Sequence, residues 1–550
     1  MHIRGIAACA AMLVSVAGAA QAGERSYWVK CDGLPAPETV GVTTAKIGAA
    51  VLTGGLYALT VEQSGLPDQG QAGVDACSIA LGQPNLPNFW SRHISLLRAR
   101  ALHKSELGDA EGALRDLEAT GTIAAAHVDE VAYTRSLGVS IKLFQAALLA
   151  KRGAVKDAER LALEAADARP YSLRVQTLAA TLLQIDPTYG PDKDRVQTRR
   201  AMLDPDGLAL RASAREWGEP VKAADDWLLR LADVRRLPAD GVLLTESFEY
   251  QDGSAVLLPY PLAKAALATA RIGRVEEARA LLAELEALKP WTSAEVPKRK
   301  REVQRLAAVT AKSEQAIARI EPYKRVIKAW LLARDKRFDE ASTLLNEGTV
   351  PVEAGTFELV SFINAGKKGV AMPTDPDAQA LGMRSVVSAN RQSQLKVLEF
   401  ARGLPLLEVP KTSPFKAQGM FSPDAGFSDR AIKTGGWRIE FGGYSGLPVA
   451  EEMSLLRAAQ LARSKGATGF AVFERRDFQR YLVQSGMPAI APDNPNPQNV
   501  ETVLEVFFTG PGAPPPPAQV TARAAFAFDA DKVWAELSPI YAERQETAKR

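Results

Sequence analysis

Cysteine and histidine are scarce in this 550-residue chain, with three of one and four of the other. His93 and His103 stand ten positions apart in one expected helix, about 15 Å along its axis, so they do not converge on a ligand. There is no HExxH, no pair of CxxC motifs and no Asp/Asn-rich loop, so neither a metal site nor a cofactor is expected. The AGKKG at 365–369 lacks both the preceding glycine and the following Ser/Thr of a phosphate loop. Net charge is also nearly absent: 67 Lys and Arg against 64 Asp and Glu give +3, too little for a nucleic-acid partner that must displace counterions. The strongest basic run, Lys298 to Arg301, reads as a solvated helix start. Past residue 20 no apolar run approaches the ~18 residues of a membrane-spanning helix.

What is present begins with an export signal. His2 and Arg4 precede an apolar run from Ile6 to Ala20, and Ala20-Gln21-Ala22 is a small-x-small cleavage site, so residues 1–22 read as a leader removed before Gly23. Ile6-Ala7-Ala8-Cys9 has the outline of a lipoprotein box, but Cys9 comes before any apolar core and lipidation is not expected. Export leaves Cys31 and Cys77, an even pair in an oxidising compartment, which favours one disulfide over two separately buried thiols. At 550 residues, with 46% hydrophobic and 24% charged side chains, the chain should fold as two or more soluble domains.

The clearest pattern lies in 258–290, LPYPLAKAALATARIGRVEEARALLAELEALKP. Two short amphipathic helices are expected around a turn at Gly273, with Ala266, Ala278, Leu282 and Pro290 at fixed offsets from it. Alanines where two helices cross allow close approach. The same offsets recur at Ala101, Gly108, Ala113 and Leu117, then at Ala146, Gly153, Ala158, Ala162 and Pro170. A further copy runs through Ala329, Lys336, Ala341 and Leu345, with lysine at the turn. A weaker copy has Gly218, Ala223 and Trp227, with Arg211 in place of the first small residue. These offsets resemble those of the tetratricopeptide repeat, a helix–turn–helix unit that must stack on neighbours to bury its apolar face. Turn positions are 45, 65, 55 and 63 apart, so extra helices or degenerate repeats intervene; the alternative is a general helical bundle.

Residues 23–43 look irregular, stapled by Cys31 to a first helix pair at 44–60 and 73–81. Residues 241–257 read as an insertion, and two segments after residue 350 as closing helices that cap the array. Residues 409–431 have no period and read as a linker. From 432 onward GWRIEFGG alternates as a strand, VAEEMSLLRAAQLARSKG follows as a helix with Glu451 and Glu452 in its first turn, and TGFAVFERR, ETVLEVFFTG and TARAAFAFDA continue as strands before a last helix. The expected fold is therefore mainly α: an irregular tetratricopeptide-like α-solenoid (23–408), a linker (409–431) and a small β-α-β-β-β-α domain (432–550).

Residues 89–350 resemble irregular tetratricopeptide-type proteins exported by alphaproteobacteria. Residues 436–545, through WRIEFGGYSG, EMSLLRAAQLARSKGATGFAVFERRD and DADKVWAELSPIY, resemble a small domain of envelope proteins and lipoproteins of the same bacteria. The resemblance implies a periplasmic protein and no established activity. GGYSGLP at 442–448 is not a G-x-S-x-G elbow, so Ser445 is read as part of a tight turn and no catalytic residue is assigned. In the repeat class the first helix of each unit lines a concave groove, which places Ser95, Arg98, Tyr260, Tyr323 and Trp330 there as candidate partner contacts. The expected function is a non-enzymatic scaffold or adaptor for a protein or peptide in the envelope, compatible with peripheral membrane association. The competing expectation is an enzyme or small-ligand binder with a cleft near Ser445, Arg475 and Asp477.

Overall fold

The computed structural model describes residues 25–37, 66–127, 130–243, 250–293, 299–370, 377–405, 415–419, 425–432, 435–480, 499–514 and 525–542. The leader and the 44–60 helix lie outside them. The described chain is mainly helical, with a small C-terminal α/β unit.

Each well-matched copy of the pattern is a helix pair: α3 (Trp90–Glu106) with α4 (Ala110–Ala124), and α5 (Leu137–Lys151) with α6 (Val155–Ala168). Farther along, α11 (Pro259–Arg271) pairs with α12 (Val275–Ala287), and α14 (Glu321–Arg334) with α15 (Phe338–Asn346). All four turns are made the same way. Gly108, Gly153, Gly273 and Lys336 adopt φ of 80°, 87°, 84° and 63°. The next residue donates its N–H five positions back, from Asp109 to Lys104 O, Ala154 to Leu149 O, Arg274 to Thr269 O, and Arg337 to Leu332 O. That bond satisfies a carbonyl the helix end would otherwise strand. The crossing residues Ala101, Ala113, Ala146, Ala158, Ala266, Ala278, Ala329 and Ala341 are all buried. The weak copy, α9 (Gly207–Arg215) and α10 (Pro220–Arg235), lacks this turn. A Cβ on Gly218 would sit 2.9 Å from the Tyr189 Cβ, so glycine is needed there for close approach.

Extra helices account for the uneven spacing. α7 (Leu173–Leu183) and α8 (Pro191–Leu203) follow the second copy, and the 20-residue α13 (Lys300–Arg319) separates the last two. The 241–257 insertion is a two-stranded ribbon, Val242–Leu243 against Tyr250–Gln251, followed by a short helix; 244–249 lie outside the description. At the N-terminus α1 (Tyr27–Asp32) and α2 (Gly70–Leu81) carry Cys31 and Cys77, which form a disulfide. Cys31 is thus helical rather than part of an irregular stretch.

The closing helices do not cap the array. α16 (Ala354–Lys367) packs on α14 and α15, but α17 (Asp377–Gln394) and α18 (Val397–Arg402) turn back, and α18 lies on α5 and α3. Leu395, Phe400, Ala401 and Leu404 belong to the same apolar core as Ile94, Phe144 and Leu178. A cap needs an outer polar face; this segment has three bulky apolar side chains that only a facing groove can cover.

The expected linker also carries structure. Gly426–Ala431 is the edge strand β1, paired with β2 (Trp437–Gly443), and Ala417 bridges to Phe427. Glycine, serine and charged residues hide this strand from a pattern search. α19 (Leu447–Ser464) crosses from β2 to β3 (Gly469–Arg480), then β4 (Asn499–Thr509) returns between them. Both neighbours of β4 run antiparallel to it, so β2 and β3 are parallel but not adjacent. The last expected strand is reduced, within the described residues, to β5 (Phe528–Asp529) before α20 (Ala530–Tyr541). Its core is continuous with the helical array through Tyr171 and Leu203.

Candidate functional site

The five groove candidates fall into two places. Near the N-terminal copies Ser95 is half-buried, its hydroxyl donating to Ser91 O at 3.0 Å, while Arg98 is buried. Arg98 donates from Nε to Ser140 Oγ (2.8 Å) and from Nη2 to Ala401 O (3.0 Å). Neither partner is charged, and burial pulls the guanidinium down to about 10 against the opposing field of Asp32. The face predicted to be open here therefore holds α18.

The other three lie around α11 and α14. Tyr260 is 46% exposed and meets the rings of Trp227 and Tyr323 edge-on at 5.8 and 6.0 Å. Tyr323 donates its hydroxyl to Glu353 Oε1 at 2.5 Å, and the buried Trp330 donates Nε1 to Gly355 O at 3.0 Å. Both side chains are tied to the start of α16, and Trp330 is core packing. The recess between the aromatic rings already holds a cation. The Lys264 ammonium, 2% exposed, lies 2.7 Å from Glu216 Oε1 and 2.5 Å from Glu353 Oε2, with its nitrogen 5.2 Å from the Trp227 ring centre. Burial works against this charge, but the two carboxylates outweigh it and raise the lysine. Burial raises Glu216, with Lys264 opposing. The triad joins α9, α11 and α16, and the chain's own Lys264 supplies its cation.

Among the described residues, the largest concentration of buried charge was not anticipated. It lies where the α/β unit meets the helical array. Glu451 and Glu452 are not in the first turn of α19, which begins at Leu447, and they are not solvated; their residues are 1% and 0% exposed. Glu452 accepts from Arg135 Nη2 (2.5 Å), from Arg169 Nε (3.1 Å) and Nη2 (3.2 Å), and from the Tyr541 hydroxyl (2.5 Å). Burial alone would raise this carboxyl, but Arg135 and Arg169 hold it at about 2. Glu451 accepts from the Ser172 hydroxyl (2.5 Å), the Arg174 backbone N–H (3.1 Å) and Arg475 Nη2 (2.6 Å), thereby capping the start of α7. Burial and the neighbouring Asp477 outweigh Arg475 and raise Glu451 to about 7. Arg475 also donates from Nε to Asp477 Oδ2 (2.9 Å), and the Thr502 hydroxyl donates to Asp477 Oδ1 at 2.8 Å.

A β-bulge aims this cluster. Val472 pairs with Val506, but Glu474, not Phe473, pairs with Glu505, so the strand has one extra residue there. The extra residue reverses the alternation. Arg475 and Asp477 consequently share the α19 face with Leu504 and Thr502, whereas Glu474 and Arg476 face away with Glu505 and Val503. In sequence, TGFAVFERRD gives no cue to the shift. A cue to the buried glutamates does exist: from Leu447 to Leu456 their neighbours are apolar except Ser454, with the polar stripe of α19 beginning only at Arg457, and charges inside such a stretch must be buried and paired.

Arg475 and Asp477 thus converge on Glu451 and Thr502 in a packed interface, not on Ser445 in a cleft. A separate shallow cleft of about 410 Å³ lies between Thr181, Gln184 and Ile185 of the α7 end and Arg391, Leu395 and Phe400. Among the described residues no group of three His, Cys, Asp or Glu is placed to hold a metal, and no helix is long and apolar enough to cross a membrane. Comparison with protein-family models, curated proteins and solved structures finds no match to this chain.

Proposed function

We propose that the chain is an exported, envelope-located scaffold or adaptor: a tetratricopeptide-type helical array that holds a protein or peptide partner, with the α/β domain fixed rigidly against it. The observation that carries this reading is that the face of α3 and α5 accepts a short helix, α18, through an apolar strip and a buried arginine. Helix-in-groove recognition uses the same elements. The disulfide between Cys31 and Cys77 fits an oxidising compartment. The competing enzyme reading needed a deep polar cleft near Ser445, Arg475 and Asp477; the side chain of Arg475 is 3% exposed and committed to two carboxylates.

The test keeps the full mature chain, because removing the α/β domain would take Glu452 away from Arg135 and Arg169. A photo-crosslinking residue is placed at Ser95, at Tyr260 and, as control, at the solvated Glu276, and envelope fractions are irradiated. A defined partner captured from Ser95 and Tyr260 but not from Glu276 is expected. Capture of nothing, or equal capture from all three, refutes the scaffold reading.

A further inference from the structure

The segment on the groove is held in an unusual way. Its apolar anchors are Leu395, Phe400, Ala401 and Leu404, while Lys396, Glu399 and Arg402 point to solvent. The polar grip comes from cationic side chains of the array and falls on main-chain carbonyls. Lys151 Nζ donates to Gln392 O and Ser393 O (3.2 and 3.0 Å), Arg98 to Ala401 O (3.0 Å), and Arg174 to Gly403 O through Nε (3.2 Å) and Nη2 (2.7 Å). Ala401 and Gly403 lie at the end of the short helix α18, where the dipole is negative; Ala401 O accepts the Leu404 N–H at 3.3 Å and Arg98 takes up its second lone pair. Two guanidiniums at that end recognise a helix terminus, not this particular sequence. Side-chain readout within 395–405 comes from Leu395, from Phe400 and Leu404 four positions apart on one face with Ala401 between them, from the partly buried Val397, and from the exposed pair Arg402–Glu106 at 2.9 Å; just ahead of it the Arg391 and Gln392 side chains donate to Gln184 O and Lys151 O. A six-residue helix has no stability of its own. A small set of buried side chains is therefore set against the ordering of the whole segment, the balance expected of a segment that opens locally.

We propose that 395–405 is an exchangeable occupant of the α3–α5–α7 face. The partner that replaces it is a protein segment forming a short amphipathic helix, with an aromatic residue followed four positions later by leucine and its C-terminal carbonyls on Arg98 and Arg174. The inference rests on the partner-binding reading above and supplies the partner's chemistry. Arg98, buried with only neutral partners, marks the point where an incoming helix end is read.

The test uses the full-length chain and a dye-labelled peptide of residues 394–405. Peptide is titrated into wild type and into the F400A/L404A variant, which empties the face. The variant should bind at least about tenfold more tightly than wild type, and adding Arg98→Ala should weaken that binding by about tenfold or more. A folded variant that does not bind, or that binds equally a peptide with Phe400 and Leu404 replaced by alanine, overturns the proposal. Should the variant fail to fold, hydrogen exchange on wild type decides: amides of 397–402 should exchange at least ~100-fold faster than those in the middle of α5. Equal protection overturns the proposal. A vacated face that binds peptide while no envelope protein crosslinks through Ser95 or Tyr260 refutes the scaffold reading and leaves the exchangeable occupant standing.

Discussion

Replacing Glu452 by glutamine keeps the shape of the side chain and removes one charge from the centre of the domain junction. In the native protein that carboxylate is fully buried and serves Arg135, Arg169 and the Tyr541 hydroxyl. The glutamine could still accept one or two of these bonds, but two guanidiniums, one of them only 1% exposed, would lose the charge of Glu452. Breaking a buried pair from one side costs about 3–5 kcal/mol. The titration gives a similar figure. A carboxyl held at about 2 instead of its ordinary value near 4.5 corresponds to roughly 3 kcal/mol. Because the folded value is depressed, this contribution is fully present above about pH 4.5 and is lost as the pH falls through about 2. The assay is urea denaturation of wild type and Glu452→Gln at pH 7, followed by circular dichroism for the helices and by tryptophan fluorescence, to which Trp437 and Trp534 contribute from the α/β unit. The variant should lose about 3–5 kcal/mol, with the α/β unit releasing at lower urea than the helices. A loss below about 1 kcal/mol would mean that the arginines are solvated at the junction, and the reasoning would fall.

Glu451 should behave in the opposite sense. Its folded value is raised to about 7, so its stabilisation is complete below about pH 4.5 and lost as the pH rises through 7; Glu451→Gln should flatten that decline in pH-dependent melting curves. Lys336 is the only described non-glycine residue with positive φ, and Lys336→Gly should stabilise the chain by about 0.5–1 kcal/mol in denaturant titrations. Gly273→Ala at the matching turn should cost about 1 kcal/mol or more. Thiol labelling of the unfolded chain from Gly23 onward without reductant should find Cys31 and Cys77 unreactive, and Cys31→Ser with Cys77→Ser should lower stability by about 2–4 kcal/mol. Deleting Phe473 should remove the bulge while leaving Arg475 and Asp477 opposite Leu504 and Thr502 on the α19 face, because Val472 and Glu474 then follow ordinary alternation against Val506 and Glu505; proteolysis should find the α/β unit still protected, and a loosened unit would refute the parity argument.

The helix pairs were legible because their cause is local. A glycine or lysine in the left-handed region, alanines at the crossing and a carbonyl satisfied five residues back all lie within about 25 positions of one another. The same locality exposed the two cysteines, the alternating strand at Trp437 and the long helix after it. Which residues are functionally committed could not be read this way. Arg169 and Glu452 are 283 positions apart, and Arg98 and Ala401 are 303 apart, so no window contains either pair. The groove candidates illustrate the difference. Register placed Arg98 and Trp330 on the first helices of their units, but only the return of α18 and the packing of α16 decided that these side chains are already engaged. At the junction, one extra residue in β3 changed which side chains face α19, a shift without compositional trace. The sequence by itself determined the helix pairs and their turns, because short-range sterics and hydrogen bonding require them. Tertiary structure alone decided that Glu451 and Glu452 join two domains and that the chain fills its own groove, because burial of charge and of apolar surface depends on what distant segments bring against them.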